Sequence, residues 1–510
     1  MKQKNSHCMS KIRYISLLCL LACSMAVSAQ TYERVFRNNF WNASENIAGI
    51  RQDSVSRSYA ELYGHYEGGG FRDTWQGTEG WSTGAATASI RHLERMSLAG
   101  SFSFDQTEGY GMCGFMFIKP GFYPVDVLEF TPGRKTLQTY AFDGGISYDL
   151  TGRWRIGAKM DFESANMAKR KDLRHDNWRL DMTVAPGFMF HRGDFAIGAA
   201  GIFRKTSETI NPEQIGTAES SYHAFLDKGL MYGVYSVWTG NGVHLDEDGV
   251  KGFPVNDLSY GLSAQLEYKG LFADLKYLRS HGKVGEKEYI WFEFPGNEAG
   301  IDLGYKLSYA DDKTHFFRLG FAWKGLEMSE SILEKVTENG VTTIWNHGWN
   351  KILAHSSWSL NPDYEYISDR WEIHAEACIN ESLAASSQMY PYLYTRSLLT
   401  WNVNADAAAR IGRFEIRALA GFGKGSSEED GIMTEEGTGV QTKPYRLEDW
   451  YARHMDYVES PRLNAGLSVR CDLWKGLYVT AEGSWMHGFD LKILTEPDRY
   501  GASLRIGYTF

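Results

Sequence analysis

Apolar and polar residues alternate with a period of two through most of this chain. Tyr500, Ala502, Leu504, Ile506, Tyr508 and Phe510 share one parity, while Gly501, Ser503, Arg505, Gly507 and Thr509 share the other. Such a segment is a strand with one oily face and one wet face. The same arithmetic places Tyr260, Leu262, Ala264, Leu266 and Tyr268 opposite Gly261, Ser263, Gln265, Glu267 and Lys269. It recurs over 140–149, 154–163 and 301–310. Segments of about ten residues cross a hydrocarbon core at a tilt, and Tyr, Trp and Phe gather at their ends as interfacial girdles require. A soluble β-sandwich also alternates, but it does not need Lys, Arg, Asp or Glu on the second face of strand after strand. A water-filled lumen does. The pattern therefore predicts an all-β fold, a transmembrane antiparallel β-barrel.

The connections give a second signal. Tight turns are predicted at His92 to Glu94, Thr151-Gly152, Arg192-Gly193, Asp227 to Gly229, Lys269-Gly270, Asp311-Asp312, Gly412-Arg413 and Lys475-Gly476, with a looser one at Asn361 to Ser368. Long polar connections fall near 68–80, 106–138, 164–177, 206–219, 239–257, 281–299, 326–350, 380–396, 424–461 and 489–499. Nine short turns and ten long loops, with both termini on the periplasmic side, imply twenty strands. Weak strand signals at 220–226, 351–360 and 385–400 widen this to an even number from 16 to 20. Unpaired edges are costly in hydrocarbon, so the first strand, Tyr59 to Glu67, should pair with Tyr500 to Phe510. Glycines within strands, such as Gly157, Gly198 and Gly261, are read as relieving curvature or making room for neighbouring side chains.

The N-terminus sets the compartment. Lys2, Lys4, Lys11 and Arg13 precede an apolar stretch from Ile15 to Cys23 that is too short to span a bilayer, and Val27 and Ala29 form a cleavage site before Gln30. The alternative, a lipobox ending at Cys23, is the poorer fit because of Leu21 at its −2 position. Residues 1–29 are thus read as a signal peptide, 30–57 as a periplasmic or lumenal N-terminal segment, and 58–510 as one barrel. After removal of the four basic signal residues, 53 Lys plus Arg fall to 49 against 63 Asp plus Glu, a net charge of −14. No nucleic-acid partner is expected. Cys113, Cys378 and Cys471 lie too far apart in sequence for metal-ligand spacing or a disulfide framework.

A last strand of alternating aromatic and apolar residues ending in Phe510 resembles the recognition signal of barrels inserted by the general assembly machinery, carried here by Tyr500, Leu504, Ile506, Tyr508 and Phe510. With its opening Trp41-Asn42-Ala43-Ser44 segment and its Gly/aromatic strands, the mature chain resembles the uncharacterised outer-membrane barrel proteins of Bacteroidota. The resemblance implies a porin-like barrel in the outer membrane and no particular reaction. The stretch from Gln30 to roughly Ser58 is too short for the globular plug of a TonB-dependent transporter, although it could enter and constrict the lumen. The helical hatch of fatty-acid channels is matched only by a faint stripe of Phe40, Ile47 and Ile50.

By parity the lumen should be lined by Arg155, Lys159, Asp161, Glu163, Glu267, Asp274, Lys276, Lys306, Arg318, Lys324, Glu372, Glu376, Asp406, Arg410, Glu415, Arg417, Glu482 and Arg505. Both signs occur, so an open pore would select weakly between ions, and a salt-bridged interior is equally compatible. Glu372, His374 and Glu376 share one face, and His355 and Ser357 share another. A histidine between carboxylates can hold a divalent ion, but any charged wall produces such sets, so a solvated wall is expected. No nucleophile elbow, zinc-binding helix or phosphate loop occurs, hence no enzyme, catalytic residue, metal or cofactor is expected. The segment 112–123 is unusually apolar for a loop and is a candidate constriction or partner surface. The loop 424–461 leans acidic, and Trp345 and Trp349 are candidates for stacking on sugars. Passage of small polar solutes is slightly favoured over an accessory barrel supporting a surface protein complex. Expected partners are outer-membrane lipids, the barrel assembly machinery and, in the second case, a surface lipoprotein. The discriminator is whether 106–138 and 424–461 fill the interior.

Overall fold

The structure, a computed structural model, describes residues 32–37, 39–52, 55–213, 222–230, 234–240, 252–287, 289–310, 313–431, 434–436 and 447–510. The expected signal peptide and the Asp311-Asp312 turn lie outside the described residues, which contain 21 strands. Strands β1 (Arg57–Gly69), β2 (Glu79–His92), β3 (Met96–Phe115), β4 (Asp126–Asp149), β5 (Trp154–Lys169), β6 (Arg174–Arg192) and β7 (Phe195–Glu213) are successive antiparallel neighbours. Two short strands, β8 (Tyr222–Asp227) and β9 (Val234–Gly240), leave the wall, and β10 (Phe253–Tyr268) resumes it by pairing with β7. The wall continues through β11 (Leu271–Glu286), β12 (Tyr289–Ala310), β13 (Lys313–Glu338), β14 (Val341–Ile367), β15 (Trp371–Ser386), β16 (Tyr394–Ile411) and β17 (Phe414–Asp430). After the three-residue β18 (Thr434–Glu436), β19 (Arg462–Trp474), β20 (Leu477–Gly488) and β21 (Asp498–Thr509) complete it. The seam closes between β21 and β1, from Tyr59 opposite Thr509 to Gly69 opposite Arg499. With β8, β9 and β18 off the ring, 21 strands leave a closed antiparallel barrel of eighteen.

Eighteen rather than twenty has a specific cause. The turn at Asp227 to Gly229 belongs to β8, which pairs with the free edge of β4 at 126–129 inside the barrel and never crosses the wall. The long connections at 281–299 and 326–350 are also largely strand. β13 and β14 run for 26 and 27 residues, far beyond the roughly 9–11 that span a membrane. Above the hydrocarbon neither face meets lipid, so the period-two signal vanishes while the ladder continues. The looser turn at Asn361 to Ser368 is strand to Ile367. Pro362 has no N–H to offer, and the ladder to β15 skips Asn361-Pro362 while pairing with β13 is unbroken there.

Outward residues match an apolar belt: Leu62, Leu262 and Leu504 are all more than half exposed. Tyr148, Trp154, Phe195, Tyr268, Trp371, Phe414 and Trp474 flank the short turns and are exposed, which draws the girdle at that end. A midplane arginine on the lipid face costs about 2–4 kcal/mol. Leu504→Arg should therefore destabilise the folded barrel by that order in denaturant titration from vesicles, while Ser503→Arg, on the lumen side, should cost much less.

Candidate functional site in the bore

The bore is occupied from the turn end by the chain's own N-terminal segment. Helix α1 (Tyr32–Arg37) and two 3-10 turns, Phe40–Ala43 and Ile47–Gln52, lie against the inner wall. The wall is prepared for them by glycines. A Cβ on Gly157 would stand 2.7 Å from Ile47 Cγ2 and 2.8 Å from Ala48 N. One on Gly145 would stand 2.8 Å from Ile47 Cγ1, and one on Gly198 2.6 Å from Asn46 Nδ2. Gly187 sits beneath Asn46 and Gly304 beneath Phe40. Gly157 faces Gly187 directly across the ladder. These absences of side chains make a socket. By contrast, a Cβ on Gly261 would meet the backbone of β11, so that glycine serves close strand approach instead.

Polar bonds finish the fit. Asn46 Nδ2 donates to Phe188 O and Gln265 Oε1, both at 2.9 Å, and Trp41 Nε1 donates to Glu267 Oε2 at 2.6 Å. Arg37 pairs with Glu365 at 2.8 Å and Glu372 at 3.3 Å, and Arg51 pairs with Asp149 at 2.9 Å. Trp41, Ala48, Met189, Ala196 and Phe272 form a buried apolar cluster around the joint.

The inward charges named from parity are placed as follows. Lys159 and Lys276 reach Glu45 of the N-terminal segment at 3.8 and 3.5 Å, and Lys159 also reaches Asp161 at 3.5 Å. Arg155 pairs with Asp149, and Asp274 accepts from Gln265. Glu163 takes both Arg179 and Lys119. Lys306 lies over the Phe316 ring, and Lys324 lies 3.8 Å from Glu298. Arg318 bonds Asp363 at 2.7 Å and Glu365 at 3.2 Å. Arg417 joins Glu372 at 2.8 Å and Asp406, while Arg410 holds Glu415 at 2.9 Å. Glu376 accepts from Asn404, and Glu482 from Ser503 and Arg505.

The expected Glu372, His374 and Glu376 set does not act as one unit. His374 stands between Asp363 at 2.6 Å and Asp406 at 3.0 Å, and Glu372 turns to the arginines. Asp363, His374 and Glu376 do bring ligand atoms within 4.8 Å of one another. Both ring nitrogens, however, already face carboxylates, and a metal ligand needs one free lone pair. His355 meets Ser382 rather than Ser357.

The far end of the bore is filled by two further units. The apolar 112–123 segment folds inward: Met116, Phe117, Tyr123 and Val125 join Val255, Phe292, Phe294 and Ile352 in one buried cluster. Glu208 and Asn177 clamp its backbone at Ile118 N and Met116 O, and Phe122 lies under the Arg179 and Lys324 cations. The second unit is helix α2 (Leu447–Glu459), in the segment expected to be an acidic loop. Leu447, Trp450, Tyr451 and Met455 make its apolar stripe and pack on Phe115, Leu128 and Phe130. Glu448 and Asp449 suit its N-terminus, and Pro461 ends it. His454 bonds Asp73, and Asp456 accepts from the backbone N–H groups of Lys492, Ile493 and Leu494.

A space of about 700 Å³ lies beside β1, β19, β20 and β21, and a smaller one of about 320 Å³ lies between the N-terminal segment and β11–β13. The larger runs from Arg417, Glu482 and Arg505 up to Glu67, Arg499 and Tyr457 of α2. Arg37, Trp41, Asn46, Arg179 and Glu208 were not singled out from sequence as site residues. The traceable signal was the set of inward glycines Gly145, Gly157, Gly187, Gly198 and Gly304, on which the N-terminal segment lies.

A closed ring with an apolar belt outside and charge within defines an outer-membrane-type β-barrel. The chain belongs to the family of unknown function DUF6850, whose model matches residues 47–510. No curated protein matches. Among solved structures it is similar to the copper transporter OprC, at 8% identity and a TM-score of 0.40, over 89% of this chain and 80% of that one. It is also similar to the outer membrane protein opdK from Pseudomonas aeruginosa, at 8% identity, a TM-score of 0.32 and coverage of 89% and 99%. OccAB3 from Acinetobacter baumannii shows 10% identity, a TM-score of 0.33 and coverage of 89% and 99%.

Two predictions follow from the packing. Gly157→Val should unseat the N-terminal segment and expose residues 32–52 to protease in intact membranes. Gly201→Val, where a Cβ meets nothing within 4 Å, should leave the protection unchanged. Burial pushes the Asp456 carboxyl up, but its three backbone donors outweigh this and hold it below the ordinary range. A depressed carboxyl stabilises above its unfolded value and loses that contribution as pH falls through the folded one. Acidification below about pH 4 should thus free α2 to limited proteolysis, and Asp456→Asn should free it already at neutral pH.

Proposed function

We propose that this protein resides in the outer membrane of a Bacteroidota-type envelope and passes small polar solutes along the compartment beside β1 and β19–β21. The observation that carries this reading is a space of about 700 Å³ bordered by Glu67, Asp105, Arg417, Glu482, Arg499 and Arg505. Its lining supports binding and passage rather than bond-making, so no catalytic step is assigned. In this reading the N-terminal segment is a resident constriction, far smaller than a globular plug. The C-terminal strand through Phe510 is the signal for the assembly machinery.

The filled extracellular half favours a second reading, an accessory barrel for a surface complex. The hairpin from Ser331 to Asn350 has neither neighbour, since β12 pairs with β13 only as far as Glu330 and β15 pairs with β14 only from Leu353. Ile332 and Trp345 on it are exposed, and a surface lipoprotein is the partner such a projection would suit.

Planar-bilayer recording separates the two. Passage predicts small, stable current steps, smaller than an empty barrel of eighteen strands would give. Glu482→Gln should shift selectivity toward anions, and Arg37→Ala, which removes the ties to Glu365 and Glu372, should raise conductance several-fold. A silent bilayer with verified insertion, for wild type and Arg37→Ala alike, would reject passage.

A further inference from the structure

We infer that the outer wall carries a binding site for a phosphate-bearing lipid of the outer leaflet, across β7, β10 and β11. This rests on the barrel standing in a membrane and not on passage, so conducting and silent bilayers alike leave it untouched. Lys205, Arg279 and Lys283 share the outward parity of Phe203 and Tyr277 and are exposed. None of the three makes an ion pair, hydrogen bond or ring contact among the described residues, and Glu293 stands opposite Lys283 on β12 without pairing to it. Other outward cations toward this end are tied down: Arg134 on β4 to Glu108, and Lys351 on β14 to Glu327.

The strands set the height of these charges. Short turns face the periplasm in outer-membrane barrels, and counted from those turns Lys205 is the eleventh residue of β7 and Arg279 the ninth of β11. A tilted strand crosses the hydrocarbon in roughly 9–11 residues, so both cations emerge at the level of the outer-leaflet headgroups. β10 runs between them: Leu258 faces Lys205 on one side and His281 on the other, and Tyr260 faces Arg279. With strands about 4.8 Å apart, the cations bracket a patch of one headgroup's width. A guanidinium fork and two ammonium groups match phosphate oxygens. Directly beneath, the lipid-facing wall has a hollow of about 490 Å³. Ala199, Gly201 and Ala264 form its floor, and the exposed Leu262, Leu275 and Tyr277 rise around it. Lys205 stands two outward positions above Gly201 on β7, and Arg279 one above Tyr277 on β11. Acyl chains suit the hollow and phosphate suits its upper lip. A soluble anion would use only the lip and a neutral lipid only the hollow, so their coincidence points to a lipid that carries phosphate.

The test titrates the full mature chain, folded in neutral detergent, with bisphosphorylated lipid A, its dephosphorylated form or inorganic phosphate, and reads bound lipid by native mass spectrometry. The phosphorylated lipid should bind at least several-fold more tightly than the dephosphorylated one, and inorganic phosphate should not displace it. Arg279→Gln with Lys283→Gln should remove that preference and Lys205→Gln should reduce it, whereas Lys424→Gln, at an exposed cation on β17, should leave it unchanged. Gly201→Leu, which fills the hollow from a position whose Cβ meets nothing within 4 Å, should weaken both lipids alike. Each variant is compared as the folded barrel, shown by its heat-modifiable migration on gels. Equal affinity for the two lipids, or a preference that survives the loss of Arg279 and Lys283, would overturn the inference. Full displacement by inorganic phosphate would overturn it too, leaving a site for small anions in place of one for lipid.

Discussion

Hydrocarbon offers no partner for a peptide N–H or C=O, and each unpaired group there costs several kcal/mol. Every other property of this fold depends on meeting that demand. The demand is met by one seam, β1 against β21, over eleven successive residue pairs from Tyr59–Thr509 to Gly69–Arg499. Once the ring is closed, parity along each strand decides which side chains see lipid and which see the bore. The girdle of Tyr, Trp and Phe beside the short turns fixes the height at which the ring sits.

Closure of eighteen strands encloses more space than wall side chains alone can fill. The chain supplies the remainder from three places. The N-terminal segment enters from the turn end, and at the far end the 116–125 connection places Phe122 between Arg179 and Lys324 while α2 packs on Phe115, Leu128 and Phe130. Small residues on the wall and large ones on the insert are complementary, as Gly157 is to Ile47 and Gly304 to Phe40. Charges that would otherwise line a wide aqueous channel are drawn into ion pairs with these inserts, such as Lys276 with Glu45 and Glu372 with Arg37. The space beside β1 and β19–β21 is bounded by the wall and, at its far end, by Tyr457 of α2.

The barrel and its seam were legible because lipid imposes a strict period of two, visible in 500–510 and 260–268 without reference to any neighbour. The signal failed wherever lipid was absent. β8 reads like a wall strand because it is apolar and bounded by a turn, yet it is buried inside. The upper halves of β13 and β14 read like loop because their apolar residues, such as Ile332, Leu333, Ile344 and Trp345, keep to no single parity, yet they stay paired. Helix α2 was hidden within an acidic stretch, its stripe of Trp450, Tyr451 and Met455 diluted by the solvated face between them. The inward charges were nameable from parity alone, but their partners were not. An ion pair such as Arg37–Glu365 joins residues more than three hundred positions apart, which no local pattern encodes.

The N-terminal segment bonds six strands of the wall: Asp149 on β4, Lys159 on β5, Gln265 on β10, Lys276 on β11, Glu365 on β14 and Glu372 on β15. One short stretch of chain thus ties together, from inside, strands that the hydrogen-bond ladder joins only through their neighbours, and so limits how far the wall can flatten.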